Sequence, residues 1–282
     1  MFYFVFVEKY NQRAIEEYKA ENEEPAAFLI FTIKDESGDI VSELRSPYRK
    51  GMNQIVWDMT YMNFEQVSRQ QANSTSSLGS MGVYVVPGNF TVSMSKNVGG
   101  ELSELAGPIS FEVQELDNRT LPAQDRITMA SFKKKAIRLM SAMGAVQAVL
   151  GQMNNSIVEM KAMSKAYLGQ EGINIFNDAL ALEKEMIAIR ESLNGDPALS
   201  RLDKDAEFSL RQRAQAAISD IRGSTSDVTG AAKYNYEVAS NGFGPILESM
   251  RQLKAKFDGV NDKLVNSGAP LTTGRIPSWR KE

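Results

Sequence analysis

The chain has 282 residues, enough for two domains, and its 43% hydrophobic and 24% charged residues are typical of a folded globular protein. Its formal net charge of −3, with acidic and basic residues interspersed, gives no broad attraction for nucleic acid or anionic lipid. Cysteine and histidine are absent, which excludes disulfides, thiol nucleophiles, Cys/His zinc sites and imidazole acid–base catalysis.

Residues 1–25 are predicted to be a strand remnant followed by a connecting helix. Met1–Val7 is apolar but far shorter than the roughly 20 residues of a membrane span. It also lacks a basic leader and a small-residue cleavage site. The polar, helix-prone stretch from Arg13 to Glu24 ends before Pro25, which disfavours a continued helix. Such a start is expected of a chain that has lost its natural beginning, including any signal peptide.

Residues 26–117 are predicted to form an antiparallel β-sandwich of the immunoglobulin/fibronectin type. Asp35-Glu36-Ser37-Gly38 predicts a hairpin turn, and Pro87-Gly88 predicts another. The polar stretch Tyr61–Met81 is interpreted as a surface loop. The β-type runs between the turn signals are Phe28–Ile33, Ile40–Leu44, Gln54–Trp57, Val83–Val86, Phe90–Met94 and Ile109–Val113.

Residues 118–267 are predicted to form an up-down antiparallel bundle of four helical segments, two long and two short, before an extended tail at 268–282. In the first segment, apolar residues alternate steps of three and four from Met129 to Met160, which predicts one helix of roughly 40 residues. The residues of this first seam are Met129, Phe132, Ala136, Leu139, Met143, Val146, Leu150, Met153, Ile157 and Met160.

Three further seams complete the predicted bundle. The third helix is expected to start near Ser200 or Asp203, and Pro245 predicts a kink or break in the last helix near Gly242. The second seam is Ile175, Ala179, Leu182, Met186, Ile189 and Leu193; the third is Ala206, Leu210, Ala214, Ala217 and Ile221; the fourth is Ala232, Tyr236, Ala239, Phe243, Ile246, Met250, Leu253, Phe257, Val260 and Leu264.

Paired carboxylates are the remaining acid–base groups, and a glycosidase needs two of them about 5–9.5 Å apart. Acidic residues this frequent fall near one another by chance, so we interpret such pairs as solvent-facing or capping residues. The candidate pairs are Glu101 with Glu104, Glu183 with Glu185, and Asp203 with Asp205. No catalytic, cofactor-binding or metal-ligating residue is assigned, and no cofactor is expected.

Four other features have structural interpretations. Trp57 is expected to fill the core beside a turn-capping Asp58. The basic run Lys133–Lys135 is interpreted as a solvated helix face. The glycosylation-like Asn154-Asn155-Ser156 lies inside a predicted helix and is interpreted as chance. The methionines could suggest a soft metal site or an adaptable groove. Six of them, however, occupy seam positions, namely Met129, Met143, Met153, Met160, Met186 and Met250.

Several segments resemble the C-terminal region of exported bacterial proteins with BNR/Asp-box β-propellers of the sortilin type, which are often labelled glycosyl hydrolase or sialidase-like. In the β region, these segments are Phe28–Asp35 with Ser37–Val41, Lys50–Asp58 and Val86–Val92. In the helical region, they are Ser224–Asp227, Phe243–Leu247 and the closing Gly268–Trp279. The loop Asn63–Ser80 departs from that family, whose corresponding loop is proline-rich.

The resemblance implies a module of a larger exported protein, in the periplasm or at the cell surface. No Asp-box repeat of the Ser-x-Asp-x-Gly-x-x-Trp type occurs here, so the implied propeller lies outside this sequence and the hydrolase label transfers to none of its residues. The expected function is therefore that of a non-catalytic accessory module with an upstream propeller or protein partner. The alternative is a carbohydrate-binding or glycoside-hydrolysing protein that uses the β-sandwich and its Tyr61–Met81 loop.

Overall fold

A computed structural model of the chain describes residues 27–62, 82–116, 123–167, 169–202 and 207–268. Predictions for 1–25, 63–81 and 269–282, and for Asp203, Asp205 and Ala206, lie outside the described residues. The fold is α+β. It divides into two compact units, one with the described residues of Met1–Met62 and Tyr84–Leu121, the other with those of Asn63–Val83 and Pro122–Glu282.

The first unit contains a four-stranded antiparallel sheet. Its strands are β1 (Phe28–Asp35), β2 (Ile40–Pro47), β3 (Gly88–Val98) and β4 (Glu101–Val113), in the order β2-β1-β3-β4. Four of the six β-type runs thus lie in strands of this sheet. All its neighbouring strands are antiparallel, as expected when short turns connect the strands of each hairpin.

Local chemistry explains both hairpins. The Asp35 carboxylate accepts hydrogen bonds from the backbone N–H groups of Ser37 and Asp39 at 3.0 and 3.1 Å, and Gly38 adopts a φ of +80°. This confirms the predicted turn. The β3–β4 turn uses Gly99 and Gly100, with φ of +57° and +87°, a pair of positive values that glycine adopts without strain.

The remaining two runs are not strands, so these predictions were wrong. Within the described residues Gln54–Trp57 has no ladder partner, and Val83–Val86 contributes one isolated bridge, between Tyr84 and Thr60. Side chains still alternate in exposure along Gln54–Trp57, because this extended segment directs Ile55 and Trp57 inward while its backbone runs outside the sheet. Within the described residues the strands therefore form one sheet, where the sequence predicted the two of a sandwich.

The second unit contains five helices within the described residues. They are α1 (Arg126–Tyr167), α2 (Gly169–Asn194), α3 (Pro197–Arg201), α4 (Leu210–Ile221) and α5 (Gly230–Asn266). The 42 residues of α1 confirm the predicted long helix. All the predicted seam residues described here are buried except Phe132, Leu210 and Tyr236, which are half-buried.

Side-chain contacts show that a cross-section of the bundle contains three helices. Lys161 on α1 pairs with Glu183 on α2 at 2.7 Å, whereas Lys133, nearer the start of α1, reaches the Ser224 carbonyl just beyond α4 at 2.9 Å. Thus α2 and α4 lie along successive stretches of α1. Both run antiparallel to it and to α5, which corrects the prediction of four alternating segments.

The start of one helix and the expected break at Pro245 also differ from prediction. The helix that contains Leu210–Ile221, α4, starts after Ser209, later than the predicted start near Ser200 or Asp203. The Ser209 side chain accepts from the Gln212 N–H while the Gln212 side chain accepts from the Ser209 N–H. Helix α5 continues through Pro245 without a break. Pro245 and Asn241, four residues earlier, are solvent-exposed, so water can replace the hydrogen bond that proline removes.

Candidate functional site

Two of the three candidate carboxylate pairs lie in the described residues, and their acids are either paired with lysines or exposed. Glu183 and Glu185 each bind a lysine from a different helix, Lys161 on α1 at 2.7 Å and Lys256 on α5 at 2.6 Å. Glu101 and Glu104 are exposed on β4. Among the residues that the structure describes, no group of three or more acidic side chains could hold a metal ion, and no helix is long and apolar enough to cross a membrane.

Trp57 and Asp58 have structural roles. The Trp57 ring makes edge contacts with Phe90 and Phe111, at centroid distances of 5.6 and 6.1 Å, and its indole N–H donates to the Thr60 carbonyl. The Asp58 carboxylate accepts from both the backbone N–H and the hydroxyl of Thr60. The pair therefore fastens the segment 54–60 to the sheet. The capping role of Asp58 is confirmed, whereas Trp57 is half-buried against the sheet and does not fill the core.

The seam methionines fill the core. Their exposed fractions do not exceed 8%, and each belongs to the buried set of the helical unit, as Met129, Met143, Met153, Met160, Met186 and Met250. A thioether enclosed by apolar neighbours packs as a flexible hydrophobic group. The core interpretation of these methionines is therefore confirmed.

Lys133 corrects the interpretation of the basic run as a solvated face. Its exposed fraction is 0%, whereas Lys134 is half-buried and Lys135 is exposed. Lys133 lies four residues after Met129 and three before Ala136, so it has the spacing of a seam residue. That spacing was the available sequence signal, and the charge of the side chain concealed it.

The Lys133 ammonium supports the α4–α5 loop, residues 222–229, which lies over the start of α1. The ammonium donates to the Ser224 carbonyl at 2.9 Å, and the Asp227 carboxylate accepts from the backbone N–H of Gln124 at 3.0 Å. Thr229 caps α5 by accepting from the Ala232 N–H. We call Lys133 and this loop the terminal clasp; the clasp joins the beginnings of α1 and α5 to the end of α4.

The electrostatics of the clasp follow from burial. Desolvation lowers the pKa of Lys133 from its usual 10.5 to about 8, because removing an ammonium from water disfavours its charged form. Asp125, which caps α1, has a lowered pKa because the Thr128 side chain and backbone hydrogen-bond its carboxylate. The fully buried amine donates to the Ser224 carbonyl, so it links α1 to the α4–α5 loop.

The clasp contains Ser224–Asp227, one of the segments on which the family resemblance rests. That segment has a structural role, since Asp227 and Ser224 both accept hydrogen bonds that connect the loop to the start of α1. The resemblance itself remains a prediction. Comparisons of the chain with protein-family models, with curated proteins and with solved structures gave no significant match.

Proposed function

We propose that the chain is a non-catalytic interaction module of a larger exported BNR/Asp-box propeller protein. In this proposal the sheet and the segment 51–62 act as an immunoglobulin-like sandwich domain that contacts the propeller. The helical unit is a second domain, which supports the propeller. The main supporting observation is that the candidate acids Glu183 and Glu185 each form a salt bridge with a lysine of another helix.

That engagement favours a scaffold over a hydrolase. A glycosidase needs one carboxylic acid that stays protonated near neutral pH and a second carboxylate facing the same sugar. A lysine 2.6–2.7 Å from a carboxylate occupies an oxygen that a substrate would use. These carboxylates therefore serve to align helices.

The surface that we assign to the propeller is β4. This 13-residue edge strand is exposed over Glu101–Ser110, and its apolar side chains Leu102, Leu105 and Ile109 are 62%, 46% and 61% exposed. Among the described strands β4 is paired on one side only, so it offers unpaired backbone groups as well as exposed apolar side chains to a partner. The other edge, β2, carries Glu43, Arg45 and Pro47, which discourage strand pairing.

The test begins with the DNA immediately upstream of the Met1 codon, where the proposal expects Asp-box repeats in frame. A protein that carries these repeats ahead of the 282 residues is then compared with the 282-residue chain by hydrogen exchange. We call the longer protein the joined protein. Amides of β4 should exchange more slowly in the joined protein, while those of α5 should not change. Absence of in-frame repeats, or equal exchange at β4, contradicts the proposal.

An activity assay separates this proposal from the carbohydrate-active alternative. The 282-residue chain is assayed on a panel of aryl glycosides and peptides together with the variants Glu183→Gln and Glu185→Gln. No turnover by any of the three proteins is expected. Turnover that a single carboxylate substitution abolishes would establish the alternative instead.

A further inference from the structure

One face of the sheet is apolar but only partly covered by the described residues. The β1–β3 register places Phe31 directly opposite Met94, and alternation puts Val92 and Phe90 on the same face. The Trp57 ring covers this face at Phe90, which is buried. Phe31, Val92 and Met94 are only half-buried. We call this surface, which comprises Phe31, Phe90, Val92 and Met94, the apolar face.

The segment Gln54–Trp57 lies over the apolar face in the conformation of a strand. Ile55 and Trp57 are half-buried, whereas Gln54 and Val56 are exposed, which is the alternation of a strand with one face on a core. Within the described residues its backbone makes no hydrogen bond to another segment. An extended segment with unpaired N–H and C=O groups can accept a neighbouring strand. Gln54–Trp57 therefore has the features of one strand of an incomplete second layer.

The direction of this segment determines which part of the chain can pair with it. Tyr48 donates to the Ala27 carbonyl, just before β1, at 3.3 Å. Trp57 contacts Phe90, which lies opposite Asp35 at the end of β1. The chain therefore runs over the apolar face from the start of β1 toward its end. A strand antiparallel to it would finish near the start of β1, where the preceding part of the chain enters the sheet.

Met1–Val7, which lies outside the described residues, has the composition of such a strand. It is a continuous apolar run with phenylalanine at every second position, Phe2, Phe4 and Phe6, so a strand here would present three aromatic rings on one side. Residues 8–27 connect it to β1. The predicted helix Arg13–Glu24 alone would extend about 18 Å, more than the roughly 10 Å between stacked sheets.

We propose that Met1–Val7 pairs antiparallel with Gln54–Trp57 and places its phenylalanines on the apolar face. The edge of β4 suits this segment less, because a strand added there would extend the sheet and leave Phe31 and Met94 uncovered. The β4 edge thus stays available to the partner proposed above. Pairing of Met1–Val7 requires no propeller, so it can hold or fail independently of the proposed function.

Disulfide cross-linking tests the pairing in the full chain, which has no cysteine of its own. Val56→Cys is combined in turn with Tyr3→Cys, Val5→Cys and Val7→Cys, which lie on the side away from the phenylalanines. One pair should form an intramolecular disulfide on mild oxidation, since directly opposite strand residues have Cβ atoms about 4.5–5.5 Å apart. Leu102→Cys on β4, combined with the same three, is the matched control and should not cross-link.

Mass spectrometry of the digested protein identifies the linked peptides. Absence of an intramolecular disulfide to position 56, or preferred linkage to position 102, overturns the proposal. Disulfides between two chains would show that a second copy supplies the strand, which also overturns pairing within one chain.

Hydrogen exchange measures the same pairing without cysteines. Val5→Pro removes a backbone N–H from the strand, so the Gln54–Trp57 amides should exchange roughly tenfold faster, about the effect of one lost hydrogen bond. The matched control Asn11→Pro lies between the strand and the predicted helix and should exchange as the parent does. Amides of β1 report whether the sheet stays folded, and where it does not, the cross-link decides. Equal exchange at Gln54–Trp57 in Val5→Pro and the parent would refute the pairing.

Discussion

The helical unit and the sheet unit differ in where they place their apolar side chains. On α1, Met143, Leu150 and Met160 are completely buried between helices, so the bundle satisfies its own apolar surface. On β4, Leu102 and Ile109 remain more than half exposed. The buried apolar surface that stabilises the fold is therefore concentrated in the bundle, while the sheet keeps an exposed apolar edge strand that a partner could cover.

Truncating one leucine in each unit provides the largest test of this comparison. Leu253→Ala removes a completely buried side chain of α5 and should lower the free energy of unfolding by about 2–5 kcal/mol, through lost burial and a residual cavity. Leu102→Ala on β4 should cost less than about 0.5 kcal/mol. Urea unfolding followed by far-ultraviolet circular dichroism measures both. Similar losses would show that β4 is also buried.

The terminal clasp predicts that stability depends on pH. The folded-state pKa of Lys133, about 8, lies below the usual 10.5, so between these values the unfolded chain binds the additional proton. The free energy of unfolding should therefore rise as pH increases from 8 to 10.5, by up to about 3 kcal/mol. Below pH 8 both states are protonated, and the full cost of burying the cation remains.

Lys133→Met isolates this effect from the other groups that titrate in alkali. The difference in unfolding free energy between parent and variant should change across pH 8–10.5, in favour of the parent at the higher pH. Urea unfolding at several pH values measures it. Parallel pH profiles for the two proteins would mean that Lys133 is solvated in solution.

Glycine substitutions on α5 test the packing between α4 and α5 with the smallest expected effect. A Cβ on Gly242 would lie 2.7 Å from a methyl carbon of Leu210, so Gly242→Ala should cost about 1 kcal/mol, as the leucine shifts to relieve the overlap. Gly259 faces open space, and Gly259→Ala should raise stability by up to about 1 kcal/mol. Thermal unfolding compares them, and changes of the same sign would contradict the close approach.

The helices could be predicted in detail because their signal is local. A three–four alternation depends only on neighbours along one helix, and it correctly identified the buried residues Leu150, Leu193 and Leu253. The end-to-end placement of α2 and α4 was missed, since it depends on how three helices meet. The burial of Lys133 was missed because a lysine at a seam position still has the composition of a surface residue.

The sheet was predicted less completely because pairing is not local. Alternation located β1 and β2, but the half of β4 from Glu101 to Ala106 has a weak pattern and is exposed on both faces. Conversely, Gln54–Trp57 alternates without joining a ladder. Its Trp57 side chain contacts Phe90 and Phe111 of the sheet, but its backbone has no strand partner in the described part of the chain. Backbone pairing is what defines a strand.

The sequence alone determined where the long helices lie, which of their apolar residues are buried and which chemistries are excluded, because these depend on residue type and short-range spacing. Only the tertiary structure decided which charges become buried or paired, as with Lys133 beneath its loop and Glu183 against Lys161. The physical reason is that burial and pairing of a charge depend on groups far away in the chain, whose positions are set when the helices pack together.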